Sequence, residues 1–254
     1  MAAEDLKKAI REKAQMLGAN LVHSCAVEKW AEIPLQDPEF WPQNIWPWVK
    51  NVIVLGIPLP VPMVSTTPSM VYQELYNTSN RVLDDIAYHL TNHLSELGYK
   101  ALFFPRDGYY NLDVLLDKPQ AAFSHVLAGY YAGLGTIGDS HNLLTKEFGP
   151  RVRLVSILTD APLPPDEMLT ENLCRHCKKC LRNCPSQCFQ ENNHSPYNMN
   201  KTACIEYHLL LKKEHHWPCG VCLNVCPVGA DLERYRDEQI VSEKGKEHCR
   251  YHGS

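Results

Sequence analysis

Residues 174–185 read Cys174-Arg175-His176-Cys177-Lys178-Lys179-Cys180-Leu181-Arg182-Asn183-Cys184-Pro185, a C-x2-C-x2-C-x3-C-P run. This spacing is the bacterial ferredoxin signature for [4Fe–4S] ligation. Cysteines two apart on a turn aim several sulfurs at one cubane, and the fourth, just before proline, is carried away to a second cluster. A second, broken copy follows: Cys204 alone, then Cys219, Cys222 and Cys226, closed by Pro227. The spacing predicts two [4Fe–4S] clusters. Cys174, Cys177, Cys180 and Cys226 hold one; Cys184, Cys204, Cys219 and Cys222 hold the other. Eight thiols satisfy both, so Cys25, Cys188 and Cys249 are expected not to be ligands.

Other uses of the cysteines fit less well. A zinc ribbon uses two C-x2-C pairs and four ligands, and a disulfide framework needs an oxidising compartment. The first residues, MAAEDLKKAIREKAQML, are charged and amphipathic, with no apolar core and no twin arginine. No run is apolar and long enough for a bilayer. A cytoplasmic protein without membrane attachment is the expectation. The 254 residues carry a net charge of −4, with 44% hydrophobic and 21% charged side chains. That is ordinary for a globular chain and carries no nucleic-acid signature. Between Cys174 and Ala230, however, seven Lys and Arg stand against three Glu. These cations offset anionic clusters, form a solvated basic face, or dock an acidic electron donor.

Upstream, Leu6, Ile10, Ala14 and Leu17 recur at helical spacing, and Asn20 to Val27 reads as a strand. An aromatic, proline-broken loop spans Trp30 to Trp48. Val52 to Ile57 reads as a buried strand. Four prolines between Pro58 and Pro68 exclude regular structure. Val71, Leu75, Val82, Ile86, Leu90, Leu94 and Leu97 predict one long helix ended by Gly98. Strands are expected at Tyr99 to Phe104 and Arg151 to Leu158, with a helix over Ala121 to Ala132. Strict βαβ alternation is missing, so the fold class is α+β. The predicted organisation is an α+β domain over 1–165, a two-cluster domain over 166–230 after Pro162, Pro164 and Pro165, and a polar tail over 231–254. A first domain of that size beside two clusters is expected to hold an electron acceptor.

The stretch Ala132-Gly133-Leu134-Gly135-Thr136-Ile137-Gly138-Asp139-Ser140-His141-Asn142 follows a helix rather than a strand, so it is not a nucleotide fingerprint. It reads as a tight turn or as a cofactor-contacting loop, in which Gly133, Gly135 and Gly138 let the backbone approach a ligand and Ser140, His141 and Asn142 are its polar partners. Of the twelve histidines, His125 and His141 flank this block and are candidate axial ligands.

The A-G-L-G-x-x-G block, Asn142-Leu143-Leu144, the strand ending Leu158-Thr159-Asp160, VKNVIVLG over 49–56, and Ala203-Cys204-Ile205-Glu206-Tyr207 ahead of Cys219-Gly220-Val221-Cys222 together resemble the epoxyqueuosine reductases. The resemblance spans Leu17 to Ala230. It implies a nitroreductase-like domain holding cobalamin or another corrinoid, followed by a ferredoxin-like two-cluster domain, as also in the related reductive dehalogenases. The implied function is a corrinoid-dependent iron–sulfur reductase. It would draw on a donor such as a ferredoxin or flavodoxin and act on a small-molecule substrate or a partner corrinoid protein. The alternatives are an accessory protein that binds and reduces a corrinoid, a plain electron carrier, and a flavin-dependent reductase.

Two departures bear on substrate. The tRNA enzymes continue into a helical-repeat domain, whereas this chain ends soon after its second cluster motif. Their acidic proton donor falls here on Pro119. Epoxyqueuosine reduction is therefore not expected. The related dehalogenases use a tyrosine as proton donor, and Tyr109, Tyr110, Tyr130 and Tyr131 are the candidates here. A phenol beside a cation such as Arg106 would have its pKa lowered toward neutrality.

Overall fold

A computed structural model of the protein describes residues 2–109, 111–192, 195–236 and 238–250. Helix α1 (Ala3–Met16) buries Leu6, Ile10 and Ala14, the residues whose spacing predicted it. Strand β1 (Leu21–Ala26) follows, then the aromatic loop, which contains the one-turn helices α2 (Lys29–Glu32) and α3 (Pro42–Ile45). Beyond β2 (Asn51–Pro58), the proline-rich stretch is not wholly irregular: α4 (Val61–Val64) forms there. Its prolines fall before or within the first turn, where a missing N–H breaks no helical bond.

The long helix is α5 (Met70–Glu96), capped where Tyr72 N–H donates to Ser69 Oγ at 3.1 Å. Its buried stripe is shifted from the expected one. Tyr72, Tyr76, Asn80 and Leu83 face inward, whereas Val82 and Leu97 are exposed. Polar and aromatic side chains at its N-terminal end thus occupy positions that a purely apolar stripe would have filled. Strand β3 (Ala101–Phe104), the unpredicted helix α6 (Leu112–Asp117) and α7 (His125–Tyr131) lead into the glycine block. That block is a β-hairpin of β4 (Thr136–Ile137) and β5 (Leu143–Leu144), followed by β6 (Val152–Thr159).

The four long strands form one antiparallel sheet in the order β1-β2-β6-β3. Side chains alternate between its faces. Ile53, Leu55 and Ile57 of β2 meet α1 and α5, while Val52 and Val54 meet α7 and the aromatic loop around Trp30. Helices on both faces of an antiparallel sheet give the expected α+β class.

After β6 the chain is tied back to the sheet. Asp166 accepts from Ser24 N–H at 2.8 Å and pairs with Lys7 at 2.8 Å and Arg11 at 3.0 Å. The cysteine-rich part then contains α8 (Lys179–Asn183), the two-residue strands β7 (Phe189–Gln190) and β8 (Asn198–Met199), α9 (Lys201–Lys213) and α10 (Val221–Asn224). Helix α11 (Glu243–Arg250) lies in the polar tail. Arg151, 1% exposed, joins the two parts at the foot of β6. Its guanidinium forks onto Asp231 at 2.8 and 2.7 Å and donates to the carbonyls of Leu223, Cys226 and Val228. Among the described residues, no helix is long and apolar enough to cross a membrane.

Candidate functional site

The cysteines sort into two groups. Cys174, Cys177, Cys180 and Cys226 line one small cavity, together with Gly138 and Asp139 of the hairpin. Cys184, Cys204, Cys219 and Cys222 line a second, larger cavity of about 450 Å³. Pro185 and Pro227 carry the last cysteine of each motif across to the group the other motif begins. None of the eleven cysteines forms a disulfide. Burial pushes Cys180 and Cys219 up to about 11 and Cys222 up to about 12. Without a metal these are neutral thiols, and metal binding must displace their protons.

Cys188 is closer to the second group than its spacing suggested. Its Sγ lies 3.5 Å from Cys184 Sγ, and the Cys204 thiol hydrogen-bonds to it. That hydrogen bond holds Cys188 down, to about 6, and raises Cys204. Cys25 is buried in the core beside Ala128, as a small apolar residue would be. A third group of donors joins the hairpin to the first motif. The buried Asp139 carboxylate accepts from His176 Nδ1 at 3.1 Å and from Ser195 Oγ at 2.6 Å, with the Cys174 thiol within 4.8 Å.

The larger cavity lies between the sheet and the cysteine-rich part. Its floor is polar and buried. Tyr76 donates its hydroxyl hydrogen to Asp107 Oδ1 at 2.5 Å, and Arg153 donates to the same oxygen at 2.9 Å. The Arg153 guanidinium also lies 4.4 Å from the Tyr76 ring centre and donates to Asn80. Tyr72 lies deeper on the same face of α5, its phenol pushed up chiefly by burial. His125 completes the wall. Its Nε2 meets the Pro105 carbonyl and its Nδ1 meets Ser156 Oγ, both at 2.9 Å. Burial lowers its pKa to about 4, so the ring is neutral with both nitrogens engaged. Trp217 stands edge-on to the Tyr76 ring at 4.7 Å, and His208, whose imidazole burial likewise lowers to about 4, also lines the cavity.

The sequence-predicted residues fall into three sets. Ser140, His141 and Asn142 do line this cavity. Asn142 donates toward Cys222 Sγ at 3.5 Å, and His141 Nε2 meets the Tyr197 carbonyl at 2.6 Å, which leaves it no free Nε2 for a metal. Tyr109 lines the cavity too, but the lowered pKa expected from Arg106 is corrected. Arg106 is spent on Asp84 at 2.8 Å, and Tyr109 sits against Tyr76 and Asp107. Burial first, then those neighbours, push its phenol well above the ordinary tyrosine range. Tyr131 is core: its hydroxyl donates to the Ile33 carbonyl at 2.6 Å and its ring lies 4.6 Å from Trp30. Tyr130 is half-buried against the same cluster, and Tyr110 lies outside the described residues.

Of the two readings of the glycines, a tight turn or a ligand approach, their contacts within the chain match the turn. A Cβ on Gly133 would lie 1.8 Å from the Glu167 carbonyl oxygen, and one on Gly135 2.2 Å from that of Leu144. On Gly138 it would meet the Leu144 side chain at 2.7 Å. The space beside each is filled by protein, so the hairpin closes on its own chain. Gly135→Val should therefore destabilise the fold by at least ~1–3 kcal/mol through overpacking, read as a lower urea midpoint. A folded, fully stable variant that loses only ligand affinity would restore the ligand-approach explanation.

Tyr72, Tyr76, Asp107, Arg153 and Trp217 were missed. A signal existed for three of them: Tyr72, Tyr76 and Asn80 share one helical face at i, i+4, i+8, and Arg153 interrupts an apolar strand.

Fold and site together describe an α+β unit whose polar cavity is lined by one of two four-cysteine groups. No protein-family model matches the chain. It is 35% identical over 105 residues to an epoxyqueuosine reductase of Synechococcus sp. (strain RCC307), covering 38% of this chain and 31% of that protein. It is 28% identical over 193 residues to the tetrachloroethene reductive dehalogenase of Dehalobacter restrictus, covering 70% and 32%. A solved reductive dehalogenase, described with a mechanism for B12-dependent dehalogenation, superimposes with a TM-score of 0.68 at 20% identity over 98% of this chain and 34% of its own. The chain is thus a relative of both the epoxyqueuosine reductases and the reductive dehalogenases. It spans about a third of the length of the curated relatives it matches.

Proposed function

We propose that the protein is a corrinoid-dependent iron–sulfur reductase acting on a small molecule rather than on epoxyqueuosine tRNA. The observation that carries this reading is the composition of the 450 Å³ cavity. It is lined by the four cysteines of one predicted cluster and by a buried tyrosine–aspartate–arginine network. Groups of four free thiols fit iron–sulfur clusters. The cavity also suits a ligand with hydrogen-bond acceptors: Trp217 Nε1 is buried without a hydrogen-bond partner among the described residues, and its side chain lines the cavity. Ser140, Asn142, Trp217 and Tyr109 would hold a corrinoid there. When bound, the clusters would supply single electrons and the corrinoid a redox-active cobalt to take them up.

The chain's own part is to exclude water and keep protons in place. Tyr76 and Tyr109 are held protonated by burial and by the adjacent Asp107 carboxylate. Arg153 donates to that carboxylate and fixes its position, so Tyr76 points its hydroxyl along one direction. Pro119, at the place where the tRNA enzymes carry an acid, brings no ionisable group.

The test is an anaerobic visible spectrum on adding cobalamin to the iron-loaded protein. A shift on binding, then the absorption of fully reduced cobalamin after reduction, is the expected result. Flavin bands in the purified protein, or no cobalamin binding, would overturn the corrinoid. Turnover of an epoxyqueuosine-containing anticodon stem would overturn the small-substrate half.

A further inference from the structure

A second, wider cleft of about 1140 Å³ opens on the cysteine-rich part, lined also by Lys146. It is lined by Cys174 and Cys226, members of the first cysteine group, whereas the cofactor cavity is lined by all four members of the second. The two cavities therefore lie at opposite ends of the two-cluster relay. Their chemistry differs as sharply. The outer cleft has five cationic side chains, Lys146, Arg175, Lys179, Arg182 and Arg236, against two carboxylates. Both carboxylates are already used: Glu171 pairs with Lys146 at 3.2 Å and Glu233 with Arg236 at 3.1 Å. Arg182 donates to the Cys177 carbonyl at 2.6 Å. Arg175 and Lys179 are exposed and make no ion pair among the described residues. In a chain of net charge −4 this is a local reversal of sign.

From this placement we infer that the cleft over Cys174 and Cys226 is the docking surface for an acidic electron-transfer protein, which feeds the first cluster. The inference rests on the two-cluster reading and is independent of what fills the other cavity. A patch of one sign opposite a partner of the other steers encounter and raises association rates by about 10- to 1000-fold at low salt. A cleft this wide and exposed admits the edge of a folded partner. The step is a single electron transfer. The partner's reduced centre loses one electron and the [4Fe–4S] cluster of Cys174, Cys177, Cys180 and Cys226 gains it, with no bond made or broken.

The experiment follows cluster bleaching in the iron-loaded protein by stopped flow, with two reductants: a reduced acidic ferredoxin, and photoreduced 5-deazariboflavin, which is small and uncharged. Arg175→Glu with Lys179→Glu should slow reduction by ferredoxin about tenfold or more and leave reduction by deazariboflavin unchanged. The wild-type rate with ferredoxin should fall as ionic strength rises. Equal rates for wild type and variant with ferredoxin, or a wild-type rate indifferent to salt, would overturn the proposal and leave these cations as counter-charges to the cluster. Should the double reversal lose iron, Arg175→Gln with Lys179→Gln removes the charges without adding opposite ones, and the same two outcomes decide. No corrinoid is needed in either assay, so a failure to bind cobalamin leaves this result standing.

Discussion

Replacing Arg151 with methionine should cost about 3–5 kcal/mol of stability, the range for removing one partner of a buried ion pair. The guanidinium is 1% exposed and makes two bonds to Asp231 and three to main-chain carbonyls. Methionine keeps the length and apolar bulk of the side chain but leaves a half-buried carboxylate and the carbonyls of Leu223, Cys226 and Val228 without their donor. Lysine should recover only part of the loss, because a point charge cannot fork onto a carboxylate while serving carbonyls beyond it. The measurement is urea unfolding of the iron-loaded protein under anaerobic conditions, with iron content determined on the folded fraction. A lower midpoint together with lost iron is expected, since two of the anchored carbonyls, those of Cys226 and Val228, flank Pro227 in the second cysteine motif. A loss below ~1 kcal/mol with full iron retention would mean that water replaces the guanidinium, and that the sheet and the cysteine-rich part are joined elsewhere.

The ease of reading different parts of the chain follows from how local their determinants are. Cysteine spacing encodes cluster geometry within a dozen residues, so the grouping of thiols around two cavities could be expected from Cys174 to Pro185 and its broken copy. Apolar periodicity placed α1, the body of α5 and the strands of the sheet to within a few residues. The cavity floor is different. Asp107, Tyr76 and Arg153 come from a loop, a helix and a strand, and nothing local says that they meet on one carboxylate oxygen. The glycine block shows the converse limit. Three glycines announce a close approach, but not of what, and the approach is to Glu167 and Leu144 of the same chain. Cys188 illustrates a third case. Motif spacing assigned it nothing, yet the turn after Pro185 brings its sulfur to 3.5 Å from Cys184.

The crossing of the two motifs gives the other large expected effect. Cys226→Ala should remove the cluster that the first motif begins, although Cys226 lies 42 residues beyond Cys184 in the sequence. Iron should fall from about eight per chain toward about four. The surviving EPR signal should be that of the cluster on Cys184, Cys204, Cys219 and Cys222. The geometric reason is that Cys226 shares its cavity with Cys174, Cys177 and Cys180, where burial chiefly raises the pKa of its thiol. Arg151 holds the Cys226 carbonyl at 3.1 Å, which fixes the turn that carries the thiol across. Cys184→Ala should do the reverse, sparing the first cluster and losing the one whose cysteines line the 450 Å³ cavity. Electron delivery then separates the two. With Cys184→Ala, an external donor should still reduce the remaining cluster, but nothing bound in the cavity should be reduced at the wild-type rate. With Cys226→Ala, the cluster beside the outer cleft is lost, and reduction by a protein donor should slow while a small, uncharged reductant still reaches the other cluster. If Cys226→Ala instead left the cluster on Cys174, Cys177 and Cys180 intact and abolished its neighbour, each motif would serve its own cluster, and the order of the relay from cleft to cavity would have to be redrawn.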